Sequence, residues 1–291
     1  MTVLVMGAGG QLGKTLLEKA PPGVAARGVT HAELDVADEK ALSALIEKIR
    51  PSAVINAAGF TQVDAAEEKH DEAQRANAEG PRVLATLCAR ANAHLVHVST
   101  DYVFDGEQNR PYRPTDMTAP LSVYGASKRD GELHVTRILG DRACIVRTSW
   151  VYSATGRNFI TSMLGRLKSG TKLRVVSDQI GAPTATFSLA EVLWRFARTP
   201  LGGIYHWSDA GVASWYDLTV ALAEEAWELG LIPADYHVES ISTEEYPTPA
   251  KRPRYSLLDR RATEAALSMS AAHWRVNLRT TLRAIARGAG S

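Results

Sequence analysis

Residues Thr2–Gly13 read TVLVMGAGGQLG, an apolar run of strand length that passes directly into a glycine-rich turn. Leucines then recur with helical spacing, so this segment predicts a strand, a tight turn and a helix. Gly7, Gly10 and Gly13 suit a turn that brings backbone N–H groups and a helix N-terminus to a pyrophosphate. The alternative is a glycine-rich turn that binds nothing. The strand–turn–helix context favours dinucleotide binding.

Short apolar strands and amphipathic helices continue to alternate as far as a strand at Ala143–Arg147. Among the helices, a long helical stretch at Glu67–Asn92 is interrupted near Gly80-Pro81. Repeated β–α units with apolar strands predict a parallel sheet that is covered by helices on both faces. We therefore predict an α/β fold, a Rossmann-like doubly wound parallel sheet, with a smaller C-terminal α/β substrate domain.

After Trp150 the helices are separated by loops rich in Gly, Pro and Thr. The segment Tyr246–Pro253 holds too many prolines for a helix or a central strand. We interpret this half as an irregular domain over the carboxyl edge of the sheet. The expected dinucleotide-binding domain spans residues 1–150. The mainly substrate-binding domain spans residues 151–291, although some of its segments can return to the sheet.

The bulk composition narrows the classes of function. The chain has 291 residues and a formal net charge of +1 at pH 7, so no broad field favours nucleic acid or an anionic membrane. Only two cysteines occur, which fits a reducing cytoplasm. No apolar run approaches the ~20 residues that a membrane-spanning helix needs, and HExxH or CxxC metal spacing is missing. We expect a cytoplasmic protein that binds neither nucleic acid nor membrane.

The residues after the second strand bear on the type of dinucleotide. An acid at the tip of this strand binds the ribose 2′-OH of NAD, and a basic residue accommodates the 2′-phosphate of NADP. The predicted strand ends near Thr30-His31 without an acid, and Asp35, a few residues on, is expected beside the adenine. We therefore expect NADPH, with NADH as the alternative. Asp35 has a second interpretation as a cap for the helix near Asp38.

The segment Ser122–Lys128, SVYGASK, places Tyr124 and Lys128 four residues apart on a predicted helix, so they share one face. A nearby ammonium lowers the pKa of a phenol, which can then protonate an oxygen that gains charge during hydride transfer. A solvated helix explains the pair when it stands alone. The preceding strand, however, ends in Ser99-Thr100, which puts a hydroxyl at the carboxyl edge where such sheets hold ligands. We predict Thr100, Tyr124 and Lys128 as the catalytic residues.

The glycine turn, the strand-end hydroxyl and the Tyr-x-x-x-Lys pair, in this order, resemble the extended short-chain dehydrogenases/reductases. Nearly the whole chain resembles one family within them, the dTDP-4-dehydrorhamnose reductases. The segments that carry this likeness are GAGGQLG (Gly7–Gly13), INAAGFTQVDAAE (Ile55–Glu67), HVSTDYVFDG (His97–Gly106), RPYRPTDMTAPLSVYGASK (Arg110–Lys128), RTSWVY (Arg147–Tyr152), DQIGAPT (Asp178–Thr184) and YPTPAKRP (Tyr246–Pro253). The resemblance implies reduction of the 4-keto group of a dTDP-4-dehydro-6-deoxyhexose, foremost dTDP-4-dehydro-L-rhamnose, by NADPH or NADH.

The resemblance also implies roles for matching positions. The implied cofactor contacts are Gly7, Gly10, Gln11, Leu12 and Gly13 at the pyrophosphate, Asp35 and Val36 at the adenine, Ala57, Ala58, Gly59 and Thr61 on the nicotinamide side, and Tyr124 and Lys128. The implied substrate contacts are Thr100, Asp101, Tyr124 and Trp150. Trp150 has an alternative role in core packing, since large aromatic side chains are usually well buried.

The resemblance bears on metals and partners as well. Some members are described with magnesium at a dimer contact, held by glutamates, and the matching regions here hold Lys14-Thr15 and Phe187. We therefore expect no metal, a nucleotide-sugar substrate, and a monomer or weak homodimer. Basic residues of the proline-rich segment are candidates for the sugar diphosphate, with a solvated basic loop as the alternative. These residues are Lys251, Arg252 and Arg254.

Other functions share parts of this pattern. A dehydratase or epimerase has the same Tyr and Lys, but superfamily dehydratases carry an acidic pair after the threonine, and here Tyr102 follows Asp101. Close relatives also include 4-ketoreductases for other deoxysugars. A further relative is a non-catalytic regulatory subunit, against which the intact catalytic set argues.

Overall fold

A computed structural model describes residues 1–288 and has a six-stranded parallel sheet at its centre. Its strands are β1 (Thr2–Met6), β2 (Ala25–Val29), β3 (Ala53–Asn56), β4 (His94–Thr100), β5 (Cys144–Thr148) and β10 (Gly203–Trp207). The strand order is β10-β5-β4-β3-β1-β2. Since the chain goes from β1 to β2 on one side and returns to β3 on the other, the order reverses beside β1. Doubly wound sheets bind ligands at such a switch point.

Helices cover both faces of this sheet, which confirms the predicted fold class. One face packs against α2 (Glu39–Ile49), α5 (Gly80–Ala91) and α6 (Val123–Leu139), and the other against α1 (Gln11–Glu18), α8 (Thr186–Arg198) and α10 (Arg261–Leu267). The central strands are buried on both faces: every residue of β3 and β5 is buried. This explains why their sequences are continuous apolar runs and do not alternate.

The predicted helical stretch between residues 67 and 92 is divided in the structure. It comprises α4 (His70–Gln74), a π-helical turn (Arg75–Glu79) and α5, and a separate short helix, α3 (Val63–Ala66), precedes it. The interruption expected at Gly80-Pro81 lies in the π-helical turn just before it, and the helix continues through the proline, which occupies the first turn of α5. Proline is tolerated there because the first N–H groups of a helix have no partner in the helix.

The remaining residues of the second half form a smaller layer over the carboxyl edge of the sheet. Its elements are β6 (Val151–Tyr152), α7 (Phe159–Lys168), β7 (Leu173–Val176), β8 (Ile180–Gly181), β9 (Thr184–Ala185), β11 (Ala213–Ser214), α9 (Trp215–Glu228), β12 (Val238–Ile241) and α11 (Trp274–Gly288). The helices α7, α9 and α11 share one apolar core. Three segments from after residue 150, α8, β10 and α10, belong to the central sheet and its covering layer. Within residues 1–288, every helix is too short or too polar to traverse a lipid bilayer.

Candidate active site

The glycine turn after β1 is shaped by close backbone contacts. Gly7 has a φ of 78°, and a Cβ atom on Gly7 would lie 2.6 Å from the backbone nitrogen of Ala58. A Cβ on Gly13 would lie 2.1 Å from the Gly7 carbonyl oxygen. Gly10 precedes α1 and offers no side-chain cap to its first N–H groups. The turn is therefore a tight backbone cradle with free helix-end donors, which fits a pyrophosphate.

The other residues predicted at the cofactor lie around this cradle. The Gln11 amide oxygen accepts a hydrogen bond from Ser153 Oγ at 2.8 Å, so this side chain faces the segment after β6. Asp35 does not cap α2, because the cap is Asp38, whose side chain accepts from the backbone N–H of Ala41. Instead, Asp35 Oδ2 accepts from Arg75 Nε at 2.8 Å. Leu12, the residue after Gln11, packs into the apolar core under α1. Val36, the residue after Asp35, packs into the core under α2 and α5.

Sequence reasoning missed an acid at the tip of β2. The carboxylate of Glu33 folds back to accept from the Thr30 backbone N–H at 2.8 Å and from Thr30 Oγ1 at 2.9 Å. The backbone hydrogen bond from Thr30 lowers the pKa of Glu33. A negative charge therefore lies at the strand end where the sequence indicated none. The signal was present, since Thr30 and Glu33 stand three residues apart, but the turn that joins them was not predicted.

The loop Ala57–Thr61, expected on the nicotinamide side, follows β3 directly beside the glycine turn. Gly59 lies against Lys128, since a Cβ at Gly59 would be 3.9 Å from Lys128 Nζ. Asn77 of the π-helical turn fixes this loop: Asn77 Oδ1 accepts from the Phe60 N–H at 2.9 Å, and Asn77 Nδ2 donates to the Phe60 carbonyl at 3.0 Å. Asn77 is fully buried. Nothing in the sequence pattern singled it out.

The predicted catalytic pair, Tyr124 and Lys128, lies in the first turns of α6. Ser122 caps this helix through the Gly125 N–H, and Glu67 Oε1 accepts from the Val123 N–H at 2.8 Å. Lys128 is buried, and its ammonium donates to the Val98 carbonyl at 2.7 Å. The end of β4 and the start of α6 are thereby joined, so Tyr124 and Lys128 stand at the carboxyl edge of the sheet.

The Lys128 charge has a buried acid one turn away. Glu132 forms a bidentate ion pair with Arg147 of β5, at 2.7 and 2.9 Å, and both side chains are buried. Burial lowers the pKa of Lys128 to about 8, although the Glu132 carboxylate opposes this shift. At neutral pH the ammonium therefore keeps most of its charge.

The expected lowering of the Tyr124 pKa does not hold in this structure. Burial raises the pKa of this phenol to about 12, the Thr100 hydroxyl counteracts the shift, and the Asp101 charge adds to it. Desolvation outweighs any nearby cation because removing water penalises the phenolate directly. The phenol therefore carries its proton throughout the neutral range.

Thr100 and Asp101 meet Tyr124 at the end of β4. Thr100 Oγ1 donates to Asp101 Oδ1 at 3.1 Å and accepts from the Tyr102 N–H at 3.2 Å. Asp101 Oδ2 accepts from Ser256 Oγ at 2.6 Å. The Asp101 side chain is buried, and both of its oxygens are engaged by protein hydroxyls.

Trp150 follows β5 in a left-handed conformation, with φ at 48°. Its ring stacks on Trp215 with centroids 3.7 Å apart and planes 9° from parallel. Gly181 also lies against the ring, where a Cβ would approach Trp150 to 2.9 Å. Trp150 is half-buried and its orientation is fixed by both neighbours, so it is a rigid aromatic wall beside the strand end that carries Thr100.

The basic residues of the proline-rich segment are not equivalent. Arg252 forms an ion pair with Asp64 of α3, through Nη1 to Oδ1 at 3.0 Å and Nη2 to Oδ2 at 2.8 Å. Arg252 also donates to Thr248 and Ala250. Its charge is thus already balanced within the protein. Lys251 and Arg254 are exposed, and Arg254 forms a long ion pair with Glu244 at 3.7 Å.

Among residues 1–288, no cluster of His, Cys, Asp and Glu side chains is arranged to hold a metal ion.

The comparison with known proteins agrees with this geometry. The family model of the RmlD substrate binding domain matches residues 1–287. A spore coat polysaccharide biosynthesis protein, SpsK of Bacillus subtilis, is 42% identical over 97% of this chain and 96% of its own length. The dTDP-4-dehydrorhamnose reductase of Streptomyces griseus is 40% identical over 99% of this chain and 95% of its own.

A solved structure is also similar. The crystal structure of dTDP-4-dehydrorhamnose reductase from Bacillus anthracis in complex with NADP has a TM-score of 0.90 and 32% identity, and covers 97% of this chain and 99% of that chain. The similarity therefore extends over the sheet, the glycine turn and the layer above them.

Proposed function

Because this chain belongs to the RmlD family, which includes the dTDP-4-dehydrorhamnose reductases, we propose that it reduces the 4-keto group of dTDP-4-dehydro-L-rhamnose to give dTDP-L-rhamnose. The observation that carries the proposal is the meeting of Thr100, Tyr124 and Lys128 at the carboxyl edge of the sheet, beside the glycine turn. Similarity over nearly the full length of the reductases supports the choice of substrate.

NADPH is the proposed cofactor, with NADH as the alternative. The backbone cradle at Gly7 and Gly13 and the uncapped start of α1 fit a dinucleotide, and Ala57–Thr61 leads from the cradle to Lys128. When bound, the reduced nicotinamide supplies a hydride to C4 of the sugar. Of the pyrophosphate contacts, Gly10, Gln11 and Leu12 would act through the start of α1, and Asp35 and Val36 would flank the adenine.

The chain itself supplies the proton. Tyr124 holds its proton at neutral pH because burial raises the pKa of the phenol, so the phenol can deliver that proton to the keto oxygen as charge grows there. Lys128 is anchored on the Val98 carbonyl, and its charge, on the same helix four residues after Tyr124, would compensate the phenolate that remains. Thr100 is the third member of this proposed catalytic group, beside Tyr124 and Lys128.

The layer formed after residue 150 would bind the nucleotide sugar. Trp150 presents a fixed aromatic surface for the face of the sugar, as aromatic rings commonly do for apolar ring faces. The exposed Lys251 and Arg254 are the cations available to the diphosphate. The Thr100–Asp101 segment forms the wall near the reacting carbon.

The test is consumption of NADPH with dTDP-4-dehydro-L-rhamnose, followed by identification of the product sugar by NMR. We expect stoichiometric oxidation of the cofactor, whereas an epimerase would show no net oxidation. Tyr124→Phe should lower kcat by about 10²–10⁴-fold and leave the Kd for NADPH unchanged. Turnover of this variant at the wild-type rate would refute the role of the phenol, and a wild-type protein that leaves NADPH unoxidised would refute the activity.

A further inference from the structure

The proton donor of the proposed reaction has an aromatic neighbour with no catalytic or binding role so far. The rings of Tyr102 and Tyr124 meet edge to face, with centroids 5.5 Å apart and planes at 73°. This geometry is preferred because the positive edge of one ring meets the negative face of the other, and it stabilises such a pair beyond the burial of apolar surface. The ring of Tyr124 is therefore packed against a partner from outside α6.

The backbones around the two rings are also in contact. Tyr102 lies in a short 3₁₀ turn, Asp101–Val103, directly after β4, and its N–H donates to Thr100 Oγ1 at 3.2 Å. Its carbonyl oxygen lies so close to Gly125, the residue after Tyr124, that a Cβ on Gly125 would clash with it. Backbone atoms on both sides thus support the ring contact and leave Tyr102 little freedom to move away from Tyr124.

The far end of the Tyr102 side chain meets the second half of the chain. Its hydroxyl faces Arg252: burial lowers the pKa of this guanidinium, but hydrogen bonds to Asp64 and to Tyr102 raise it above its ordinary value. Arg252 is itself held by the Asp64 carboxylate, at 3.0 and 2.8 Å. Tyr102 therefore stands between the proton donor and a fixed ion pair.

We propose that Tyr102 is a positioning residue, whose ring holds the Tyr124 ring in the orientation from which the phenol protonates the keto oxygen. This rests on the proposed reductase function, because it concerns the residue that protonates the ketone. The proton that reaches the keto oxygen comes from the Tyr124 O–H, and Tyr102 exchanges no proton in this step.

The position of the phenol matters because its hydroxyl lies at the far end of the side chain and moves with every change in χ1 or χ2. A proton donor must come within about 2.6–3.2 Å of the atom that it protonates, and a misplacement of about 1 Å can lower a rate about 100-fold. A second ring packed against the phenol limits both rotations. The role of Tyr102 is therefore to be sought in kcat and not in cofactor binding.

The first experiment measures the contact without enzyme turnover. In a double-mutant cycle of Tyr102→Leu and Tyr124→Leu, the coupling should correspond to about a two- to tenfold change in the unfolding equilibrium constant. The matched cycle combines Tyr102→Leu with Tyr205→Leu, because Tyr205 packs on Phe196 instead, and its effects should be additive. Additive effects of Tyr102→Leu and Tyr124→Leu would overturn the contact on which the proposal rests.

The second experiment uses turnover to separate positioning from packing. Tyr102→Leu should lower kcat by about 10- to 100-fold and leave the Kd for NADPH unchanged, whereas Tyr102→Phe keeps the ring and should stay within about twofold of the wild type. In a Tyr124→Phe background, Tyr102→Leu should have no further effect on kcat, because no phenolic proton is left to position. The control Tyr205→Leu should leave kcat unchanged.

The role of the ring is refuted by an unchanged kcat in Tyr102→Leu, or by an equal loss with and without the Tyr124 hydroxyl. A loss in Tyr102→Phe as large as in Tyr102→Leu also refutes it, because the effect would then belong to the hydroxyl that faces Arg252. Should Tyr102→Leu fail to fold, Tyr102→Met takes its place, since methionine adapts to irregular space. If the wild type oxidises no NADPH with the keto sugar, the reductase assignment fails, while the unfolding cycle still tests whether Tyr102 holds Tyr124.

Discussion

Single residues of this protein carry strain and charge where the ligands are proposed to bind. Trp150 adopts a left-handed conformation, which is rare for a bulky side chain and marks a position that its surroundings force. The surroundings here are Trp215 and Gly181, which leave the ring one orientation. The strain thus fixes the ring in advance, so that the aromatic surface needs no rearrangement when a sugar arrives.

Glu33 is the residue that should govern the choice of cofactor. Its carboxylate at the end of β2 would accept from a ribose 2′-OH and repel a 2′-phosphate. We expect Glu33→Gln to tighten NADPH binding relative to NADH by about two- to fivefold, measured as the ratio of the two Kd values. Glu39→Gln, an exposed acid at the start of α2, should leave the ratio unchanged. An unchanged ratio in Glu33→Gln would place this carboxylate away from the ribose.

At the scale of elements, the π-helical turn before α5 is the least expected feature. A π-helical turn inserts an extra residue into a helix, and such turns are frequent at functional sites. Here it brings Asn77 to both Phe60 of the nicotinamide-side loop and Ser127 of α6, at 3.0 Å. These two contacts hold the loop after β3, the π-helical turn and α6 together near Lys128, although the three segments are far apart in sequence.

The substitution Asn77→Ala tests whether the contacts of Asn77 hold these three segments together. The variant leaves the buried N–H and carbonyl of Phe60 without their partner, so we expect it to lower the free energy of unfolding by about 1–3 kcal/mol and to weaken NADPH binding. Gln74→Ala is the control: this side chain lies one turn earlier and donates to Asp130, so its loss should cause neither effect. Calorimetry and NADPH titration measure the two effects. Destabilisation without a change in NADPH affinity would limit Asn77 to a role in folding.

At the scale of the whole molecule, the ion pair between Asp64 and Arg252 connects the first half of the chain to the proline-rich segment of the second half. Asp64 lies on α3, and Glu67, which follows the last residue of this helix, meets the start of α6. This short segment therefore follows the loop Ala57–Thr61 and contacts both α6 and the proline-rich segment. Its position suits it to align the sugar with the reacting groups.

Asp64→Asn should therefore affect the substrate and spare the cofactor. We expect the KM for the nucleotide sugar to rise roughly three- to tenfold, because a half-exposed ion pair is worth little more than this, while the Kd for NADPH is unchanged. Arg174→Gln removes a surface pair with Glu245 in the same half and serves as the control. Equal losses for both ligands would point to general loosening of the fold.

The order of motifs was sufficient to predict the fold class; that Thr100, Tyr124 and Lys128 are catalytic remains a prediction. Parallel strands all end at the same edge of the sheet, so the sequence could place Thr100, at the end of β4, and the glycine turn, at the end of β1, at one edge, with β3 between them. The roles of Asn77 and Glu33 were not predicted from the sequence. Both roles depend on local turns, and a turn produces no periodic pattern of hydrophobic residues. β10 was not predicted as a strand because it has only five residues and begins with a glycine, GIYHW, which gives too short a hydrophobic pattern to tell a strand from a loop.

β10 pairs along β5 although the two strands are distant in sequence. A fragment that ends after residue 150 would leave the hydrogen-bonding groups of β5 exposed, and unpaired strand edges recruit other chains. During synthesis, β10 must emerge from the ribosome before it can pair with β5. Completion of the sheet is therefore delayed until the second half of the chain has been made. Attempts to express the cofactor-binding half alone should therefore yield aggregates, unless a peptide that supplies the missing edge is present.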